Sequence, residues 1–169
     1  MESEKIKKIV SALELEAHPE GGYFKETYRS EGKVKREALP EGFNGDRNFC
    51  TAIYFLLTKD NFSAFHRICQ DEIWHFYSGD PLYVHVIDQD GEYTRHEVGP
   101  DIESGQEPQL VVSAGAWFAS SVKEGEEYSL VGCTVSPGFD FEDFELADRE
   151  KLSEEYPEHI DIIRKLTRV

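Results

Sequence analysis

The strongest constraint on the fold is a series of short strand-like segments that follow one another without a helix between them. From residue 49 to residue 135, stretches rich in Val, Ile, Phe, Tyr and Thr alternate with turn-forming Asp, Asn and Gly residues. The predicted strands are Phe49–Leu57, Asn61–Ile68, Glu72–Tyr77, Leu82–Ile87, Glu92–Val98, Leu110–Val112, Trp117–Val122 and Tyr128–Val135. Short strands at this spacing predict an antiparallel sandwich or barrel.

The flanking segments predict short helices at both ends of an all-β chain. Apolar residues recur at helical spacing in the first and last segments, and Pro157 suits a first helical turn. These apolar positions are Ile6, Ile9, Val10 and Leu13 at the N-terminus, and Ile160, Ile163 and Leu166 at the C-terminus. Residues 23–29 alternate as a further strand, and residues 31–46 predict a long charged loop. We expect residues 1–169 to form one domain.

The net charge of the chain indicates which classes of partner it disfavours. There are 34 acidic and 18 basic residues, for a net charge of −16. Such a surface repels phosphate backbones and anionic lipid heads, so we expect neither a nucleic-acid nor a membrane partner. The three cysteines form no CxxC pair and the first residues lack an apolar signal region, from which we expect a cytoplasmic location.

The segment from His66 to Gly79, with the sequence HRICQDEIWHFYSG, predicts a polar site inside the barrel. Alternation along the strands places His66 on the same face as Ala64 and Ile68, and Glu72 can meet it across a hairpin. An imidazole and a carboxylate in an apolar interior are costly unless they are paired, hydrated or bound to a ligand. We therefore predict His66 as a catalytic base or acid, with Glu72 setting its orientation and pKa.

Aromatic and acidic residues on neighbouring strands are candidates for the wall of a ligand pocket. In the strand of residues 23–29, a carboxylate lies between two aromatic residues on one face. The predicted ligand-binding residues are Phe24, Glu26, Tyr28, Trp74 and Phe118. The alternative interpretation is a barrel filled by these rings, in which His66 is a core histidine hydrogen-bonded to Glu72.

Three other segments receive structural interpretations. His18 belongs to a Pro-Glu-Gly-Gly bend and is expected to organise it. His75 and His85 lie on the opposite faces of their strands from the core residues, so a structural or interface role is expected. The segment Pro137–Phe144 alternates Phe with acidic residues. We expect a belt with its Phe residues on the outside of the barrel, or alternatively a cover for the pocket or a dimer interface.

The segment beginning at His66 resembles the first motif of the cupin superfamily, His-x-His-x3-Glu-x6-Gly, and Ser113–Phe118 resembles the second, a turn before a ligand histidine. The residues in register are His66, Glu72, Gly79 and Gly115. Ile68 and Phe118 stand where two metal-ligating histidines occur in the superfamily. The resemblance implies a double-stranded β-helix, the cupin jelly-roll barrel, in which His66 and Glu72 are the remaining metal ligands and any metal binds weakly.

The chain is also similar to an uncharacterised cupin-like family. This resemblance is carried by HPEGGYFKETYRS (residues 18–30), by residues 66–79 and by VGCTVSPGFDFEDFE (residues 131–145). It implies a homodimer of jelly-roll barrels and supplies no reaction.

A weaker similarity links the chain to the dTDP-4-dehydrorhamnose 3,5-epimerases. Residues 22–26 resemble their Gly-x-Phe-x-Glu segment, and His66 stands at the place of their catalytic histidine, whereas Gly21 replaces their arginine. We expect an isomerase- or epimerase-like enzyme, or another enzyme, acting on a sugar- or base-like metabolite. The alternatives are a non-catalytic small-molecule binding or sensing dimer, and a structural dimer with a filled barrel.

Overall fold

The computed structural model describes residues 3–169 and consists mainly of short strands. Strands β1 to β13 span Glu16–Ala17, Tyr23–Arg29, Lys33–Val34, Arg47–Asn48, Thr51–Thr58, Phe62–Arg67, Asp71–Gly79, Leu82–Ile87, Tyr93–Val98, Gln109–Val112, Trp117–Val122, Tyr128–Ser136 and Glu145–Leu146. Helices α1, α2 and α3 span Glu4–Ala12, Arg149–Glu155 and Ile160–Lys165. One-turn 3-10 helices occur at Arg36–Ala38, Ile102–Ser104, Phe141–Asp143 and Pro157–His159.

The strands form two antiparallel sheets whose inner faces enclose the main core. One sheet has six strands in the order β1-β2-β5-β12-β7-β10, and the other has five in the order β13-β6-β11-β8-β9. Apolar side chains from both sheets meet between them, among them Leu57, Trp74, Val84 and Val131. Burying one face of every strand explains the period of two in the sequence. The predicted all-β jelly-roll barrel is confirmed.

The terminal helices cover outer surfaces of the sheets. The Ser3 side chain accepts a hydrogen bond from the Ile6 amide at 3.4 Å, which caps α1. At the other end, Ile163 and Leu166 pack with Phe65 on the five-stranded sheet, as their helical spacing predicts. Helix α2 was not predicted, because its sequence REKLSEE has a single large apolar residue and no apolar stripe.

The predicted loop of residues 31–46 is more ordered than its charge suggests. Strands β3 and β4 pair as a two-stranded ribbon, and Asp46 accepts hydrogen bonds from the side chain of Lys35 and the amide of Arg36, both at 2.9 Å. Among residues 3–169, no helix has the length and apolar character needed to cross a bilayer.

Candidate functional site

A cavity of about 280 Å³ opens between the two sheets and is lined by both aromatic and titratable side chains. Its aromatic wall consists of Phe24, Phe55, Trp74, Phe139, Phe141 and Phe144. The volume corresponds to roughly nine water molecules at about 30 Å³ each. The barrel is therefore not completely filled by side chains, and the cavity is suited to a molecule with a single ring.

His66 reaches the cavity from β6 in a defined tautomer. Its Nδ1 lies 2.7 Å from the main-chain oxygen of Ala64, and because a carbonyl only accepts, Nδ1 carries the proton. Nε2 makes no hydrogen bond to any residue that the structure describes. Burial lowers the pKa of His66, against a smaller opposing effect of the Glu20 carboxylate. The neutral ring thus presents a basic nitrogen to the cavity.

Glu72 enters the cavity from β7, in the facing sheet. Burial, with a further contribution from the Glu20 carboxylate, raises the pKa of Glu72 to about 8. The indole N–H of Trp74 lies beside this carboxyl and lowers its pKa slightly, but it is not in hydrogen-bond geometry with any described residue. The cavity therefore contains a carboxylic acid that holds its proton near neutral pH.

The predicted interaction between His66 and Glu72 is not present. No hydrogen bond joins the two side chains within residues 3–169, and Ala64 orients the imidazole instead. The carboxylate that affects the pKa values of both residues is Glu20. The pattern of the strands could not reveal this, because Glu20 lies in a turn before β2.

The turn before β2 is built so that Glu20 reaches the cavity. The Glu20 main-chain oxygen accepts a hydrogen bond from the Ala64 amide at 3.1 Å, which attaches the turn to β6. A Cβ atom at Gly21 would lie 2.0 Å from the main-chain oxygen of Phe62, so only glycine fits between the two segments. The Glu20 carboxylate contacts Nδ1 of His18, and both side chains are nearly buried. His18 does organise the bend, and it also lines the cavity.

A β-bulge in β2 decides which of its side chains reach the cavity. Glu26 is paired with Ile53, which faces the cavity, whereas the register shift then pairs Tyr28 with Ala52 on the outer face. Tyr28 is consequently 54% exposed and does not line the cavity where it was expected. Simple alternation fails here because the extra residue reverses the faces of the strand.

The same bulge brings Arg29 to the rim of the cavity. Its Nε and Nη2 donate to the two Glu26 carboxylate oxygens at 2.8 and 2.9 Å, and Nη2 also donates to the Phe139 main-chain oxygen at 3.0 Å. The Glu26 carboxylate raises the pKa of this guanidinium. The positive charge at the rim is therefore already paired with a carboxylate.

The structure brings most of the other predicted residues together. Phe24, Glu26, His66, Glu72 and Trp74 all line the cavity. Phe118, predicted to contact the ligand, does not line it. Its ring centroid lies 4.2 Å from that of His66 and it is 1% exposed, because it is paired with His66 on the adjacent strand and fills the space behind the imidazole.

The segment from Pro137 to Phe144 lies over the cavity rather than forming a belt on the outside of the barrel. Phe139, Phe141 and Phe144 contribute to its wall. The segment is held by Asp143, which accepts two hydrogen bonds from Arg47 and one from Gln70, each at 2.7 Å. A buried ion pair between residues 96 positions apart leaves no periodic pattern in the sequence, so the expected outward orientation was wrong.

His75 and His85 lie outside the cavity and make structural contacts, as expected from alternation. His75 Nε2 lies 3.0 Å from the Thr134 hydroxyl on the outer face of the six-stranded sheet. His85 lies between the Tyr93 and Ser121 hydroxyls, at 2.7 and 3.1 Å. Burial lowers the pKa of His85 to about 4.

The residues of the cavity do not fit a bound metal. No group of three or more His, Cys, Asp or Glu side chains within residues 3–169 is arranged to share an ion. Catalytic metal sites usually supply three protein ligands. Ile68 and Phe118 occupy the positions that would complete such a set with His66 and Glu72. Burial also raises the pKa of the nearby Cys133 thiol, which disfavours the thiolate that a metal would require.

Comparison with known proteins places these features in a wider group. The model of the family described as "Cupin superfamily (DUF985)" matches residues 7–147. An uncharacterised protein of Saccharomyces cerevisiae, YML079W, is 36% identical over 147 residues, which cover 82% of this chain and 73% of the yeast protein.

Solved structures show the same fold. A hypothetical protein from Leishmania major is 40% identical with a TM-score of 0.87, over 96% of this chain and 98% of its own. A Shewanella oneidensis protein is 40% identical with a TM-score of 0.86, over 96% of each chain. A cupin 2 domain-containing protein from Halorhodospira halophila, with 14% identity and a TM-score of 0.55 over 91% of this chain and 88% of its own, shares the fold alone.

Proposed function

Because the chain belongs to the DUF985 family of the cupin superfamily, we propose that its barrel cavity binds a small sugar- or base-like metabolite. We further propose that the protein catalyses an isomerase-type proton transfer on this metabolite. His66 acts as the general base and Glu72 as the general acid.

One observation carries this proposal: two facing sheets contribute an imidazole and a carboxyl group, His66 and Glu72, to the same cavity. Burial lowers the pKa of His66 and raises the pKa of Glu72 to about 8. Their environments therefore keep one group ready to accept a proton and the other ready to donate one near neutral pH. Pairs of titratable groups with altered pKa values in a cavity are typical of acid–base active sites.

The proposed step requires no other reactant than water. Nε2 of His66 accepts a proton from a carbon next to a carbonyl, and the Glu72 carboxyl donates its proton to the carbonyl oxygen, which produces an enol. Water then delivers a proton to the opposite face of the carbon, and the His66 proton passes to the resulting hydroxide. The enol proton returns to Glu72, so that the configuration at the carbon is inverted and both residues regain their starting states. Positioned acid–base groups of this kind contribute typically about 10²–10⁴-fold to a rate.

The charges around the cavity support an uncharged ligand. Arg29 at the rim is already paired with Glu26, and the remaining charged side chains of the lining are acidic or are histidines. An anion would meet carboxylates without a free guanidinium to compensate. The similarity of Gly22–Glu26 to the dehydrorhamnose epimerases supports sugar-type chemistry, while this charge disfavours the diphosphate of a nucleotide sugar.

The test is deuterium exchange in D₂O. Fructose, dihydroxyacetone and hydantoin each carry a C–H next to a carbonyl, and proton NMR follows the loss of that signal with and without protein. We expect exchange of at least one probe above the background, and its loss in His66→Gln. The control His96→Gln, on β9 of the five-stranded sheet and outside the cavity, keeps the wild-type rate. If the folded His66→Gln variant exchanges as fast as wild type, the proposed base is wrong.

A second candidate is a non-catalytic binding or sensing protein. The aromatic wall favours it, because a few polar groups among rings are also typical of a simple ligand pocket. In that case a probe binds, and Glu72→Leu weakens its affinity, but no probe exchanges deuterium faster than the background.

We also propose a homodimer that pairs through the outer face of the six-stranded sheet. This face exposes Tyr28, Tyr77 and Val111, each by more than half, and Gly132 leaves room for the Tyr77 ring to lie against the sheet. Exposed apolar patches of this kind favour an interface. Light scattering is expected to give twice the mass of one chain, and Val111→Lys to give the single mass. A monomeric wild type at micromolar concentration contradicts this proposal.

The three free cysteines support a proposed cytoplasmic location, and the surface charge supports the proposed absence of nucleic-acid and membrane partners. A net charge of −16 opposes binding to polyanions. Retention of the protein on a DNA or an anionic-lipid surface at physiological salt would contradict this expectation.

A further inference from the structure

We infer that the ligand of this cavity is an uncharged nitrogen heterocycle with a single ring, which presents an –NH–C(=O)– edge to Glu72 and Trp74 and turns the C–H next to a ring carbonyl toward His66. This inference rests on the proposed function, since it names the chemical class of the metabolite at the same site. It follows from the hydrogen-bonding capacity that these three side chains leave unused.

The first observation is an unused donor. The Trp74 side chain is 97% buried, as its 3% exposure shows, and its Nε1–H has no hydrogen-bond partner within the described chain. Buried indole N–H groups usually find an acceptor. Because Trp74 lines the cavity, a ligand carbonyl oxygen there would supply the acceptor that the protein lacks.

The second observation is an unused acceptor on the facing sheet. His66 commits its Nδ1–H to the Ala64 carbonyl at 2.7 Å. Its Nε2 can therefore only accept while the ring is neutral. The ligand must therefore turn a hydrogen-bearing atom toward this nitrogen, because a ligand acceptor placed there would face a lone pair.

Glu72 lies beside Trp74 and can bind both atoms of the same ligand edge. A protonated carboxyl offers one O–H donor and one carbonyl acceptor, which match the carbonyl and the N–H of a cyclic amide. The charged and titratable groups that face it are Glu20 and His18 from the turn, His66 from β6, Cys133 from β12, and Asp140 with the Glu26–Arg29 pair at the rim. None of these supplies an unpaired positive charge.

The wall of the cavity favours a flat ring over a sugar. Six aromatic rings offer stacking surfaces, and two pairs of polar side chains in the lining, His18 with Glu20 and Arg29 with Glu26, already contact each other. Few polar groups are therefore left for a hydroxyl on nearly every ring carbon of a sugar, and each unsatisfied buried hydroxyl weakens binding. A planar heterocycle stacks on such rings and carries its polar atoms along one edge. The volume of about 280 Å³ is sufficient for one ring.

Binding of matched probes tests the inference. Hydantoin and 2-pyridone carry the proposed edge, 1,3-dimethylhydantoin replaces both N–H groups with N-methyl groups, and glucose represents sugars. Dissociation constants come from ligand-observed NMR with the full-length protein. We expect hydantoin or 2-pyridone to bind, 1,3-dimethylhydantoin to bind at least tenfold more weakly than hydantoin, and glucose not to compete.

Variants of Glu72 distinguish hydrogen bonding to the polar edge of the ligand from a fit that depends only on the shape of the cavity. Glu72→Gln keeps one donor and one acceptor, and we expect affinity within about threefold of wild type. Glu72→Leu, of similar size, is expected to lose tenfold or more. His96→Gln, on β9 and outside the cavity, is the control for an unchanged fold and affinity.

The outcomes distinguish this inference from the proposed function. Failure of both hydantoin and 2-pyridone to bind, equal binding of 1,3-dimethylhydantoin, or tighter binding of glucose overturns the ligand class. Exchange of fructose or dihydroxyacetone with no binding of the heterocycles would preserve the proposed proton transfer and overturn only this inference. Binding of hydantoin without exchange of any probe would preserve the ligand class and overturn the catalytic proposal.

Discussion

His66 donates its Nδ1–H to the main-chain oxygen of Ala64 at 2.7 Å, two residues earlier on the same strand. The orientation of the imidazole is therefore set by β6 itself and not by Glu72. It follows that Glu72 can be replaced without moving the proposed base. His66 and Glu72 therefore reach a bound ligand independently, each from a different sheet.

Glu72→Gln is expected to stabilise the protein at neutral and alkaline pH. The pKa of Glu72 is raised to about 8 in the folded protein, from an ordinary value of 4.5. The unfolded chain therefore loses this proton at a lower pH than the native state, and stability falls as pH rises from about 4.5 to 8. The effect is on the order of 1.4 kcal/mol per pH unit within this window.

Urea unfolding of wild type and Glu72→Gln at pH 5, 7 and 9 measures this difference. The advantage of the variant should grow up to about pH 8 and then remain constant. An advantage that does not depend on pH would mean that Glu72 is ionised in the native protein.

The fold could be predicted from the sequence, whereas the site could be predicted only in part. Alternation along β7 correctly placed Glu72 and Trp74 on the inner face, because a strand buried on one face imposes a period of two. The bulge between Glu26 and Tyr28 breaks that period. No residue in this segment is of a type that indicates a bulge in the sequence. Tyr28 was therefore assigned to the cavity, and Arg29 was missed.

Long-range contacts account for the other errors. Glu20 reaches the cavity because its turn is attached to Ala64 on β6. The adjacent glycines Gly21 and Gly22 were the available signal, since paired glycines indicate a close approach of two backbones. The position of Phe139 over the cavity depends on Arg47 and Asp143, which are brought together only in the folded chain.

The ion pair between Arg47 and Asp143 should be important for stability. Both side chains are buried, and two hydrogen bonds of 2.7 Å join them. Asp143→Asn leaves the buried guanidinium with only the exposed Glu142 carboxylate, at 3.5 Å, as a counter-charge, so we expect a loss of about 3–5 kcal/mol in the free energy of unfolding. Amide hydrogen exchange should also show faster opening of residues 137–144.

The exposed pair of Arg67 and Glu145, also at 2.7 Å, provides the matched control. Glu145→Gln should change the stability by less than about 1 kcal/mol. Similar losses for the two substitutions would contradict a special role for the buried pair.

Two glycines with the same φ separate backbone strain from steric contact. Gly79 and Gly105 both have a φ of +89°. A Cβ atom at Gly79 would lie 2.6 Å from the Tyr128 main-chain oxygen, whereas nothing lies within 4 Å at Gly105. We expect Gly105→Ala to lose about 1–2 kcal/mol from strain alone, and Gly79→Ala to lose at least about 1 kcal/mol more. Equal losses in urea unfolding would show that the hairpin at Gly79 relaxes freely.

Acid should destabilise the protein in part through His85. Its pKa is lowered by burial to about 4, so the unfolded chain takes up a proton below an ordinary value near 6.5 while the native ring stays neutral. The contribution of His85 to the free energy of unfolding is fully present above about pH 6.5. It falls by roughly 3 kcal/mol when the pH is lowered to 4. In His85→Gln this part of the decline should be absent. If the free energy of unfolding of the variant declines as steeply between pH 6.5 and 4, groups other than His85 cause the acid sensitivity.

The most direct test of the acid–base pair is an NMR titration of the two groups in the unliganded protein. Carbon-labelled Glu and nitrogen-labelled His report their protonation, with Glu72→Gln and His66→Gln assigning the signals. At pH 7 we expect Glu72 to be protonated and His66 to be neutral with its proton on Nδ1. An ionised Glu72 carboxylate, or a His66 that is charged or protonated on Nε2 at that pH, would contradict the proposed roles.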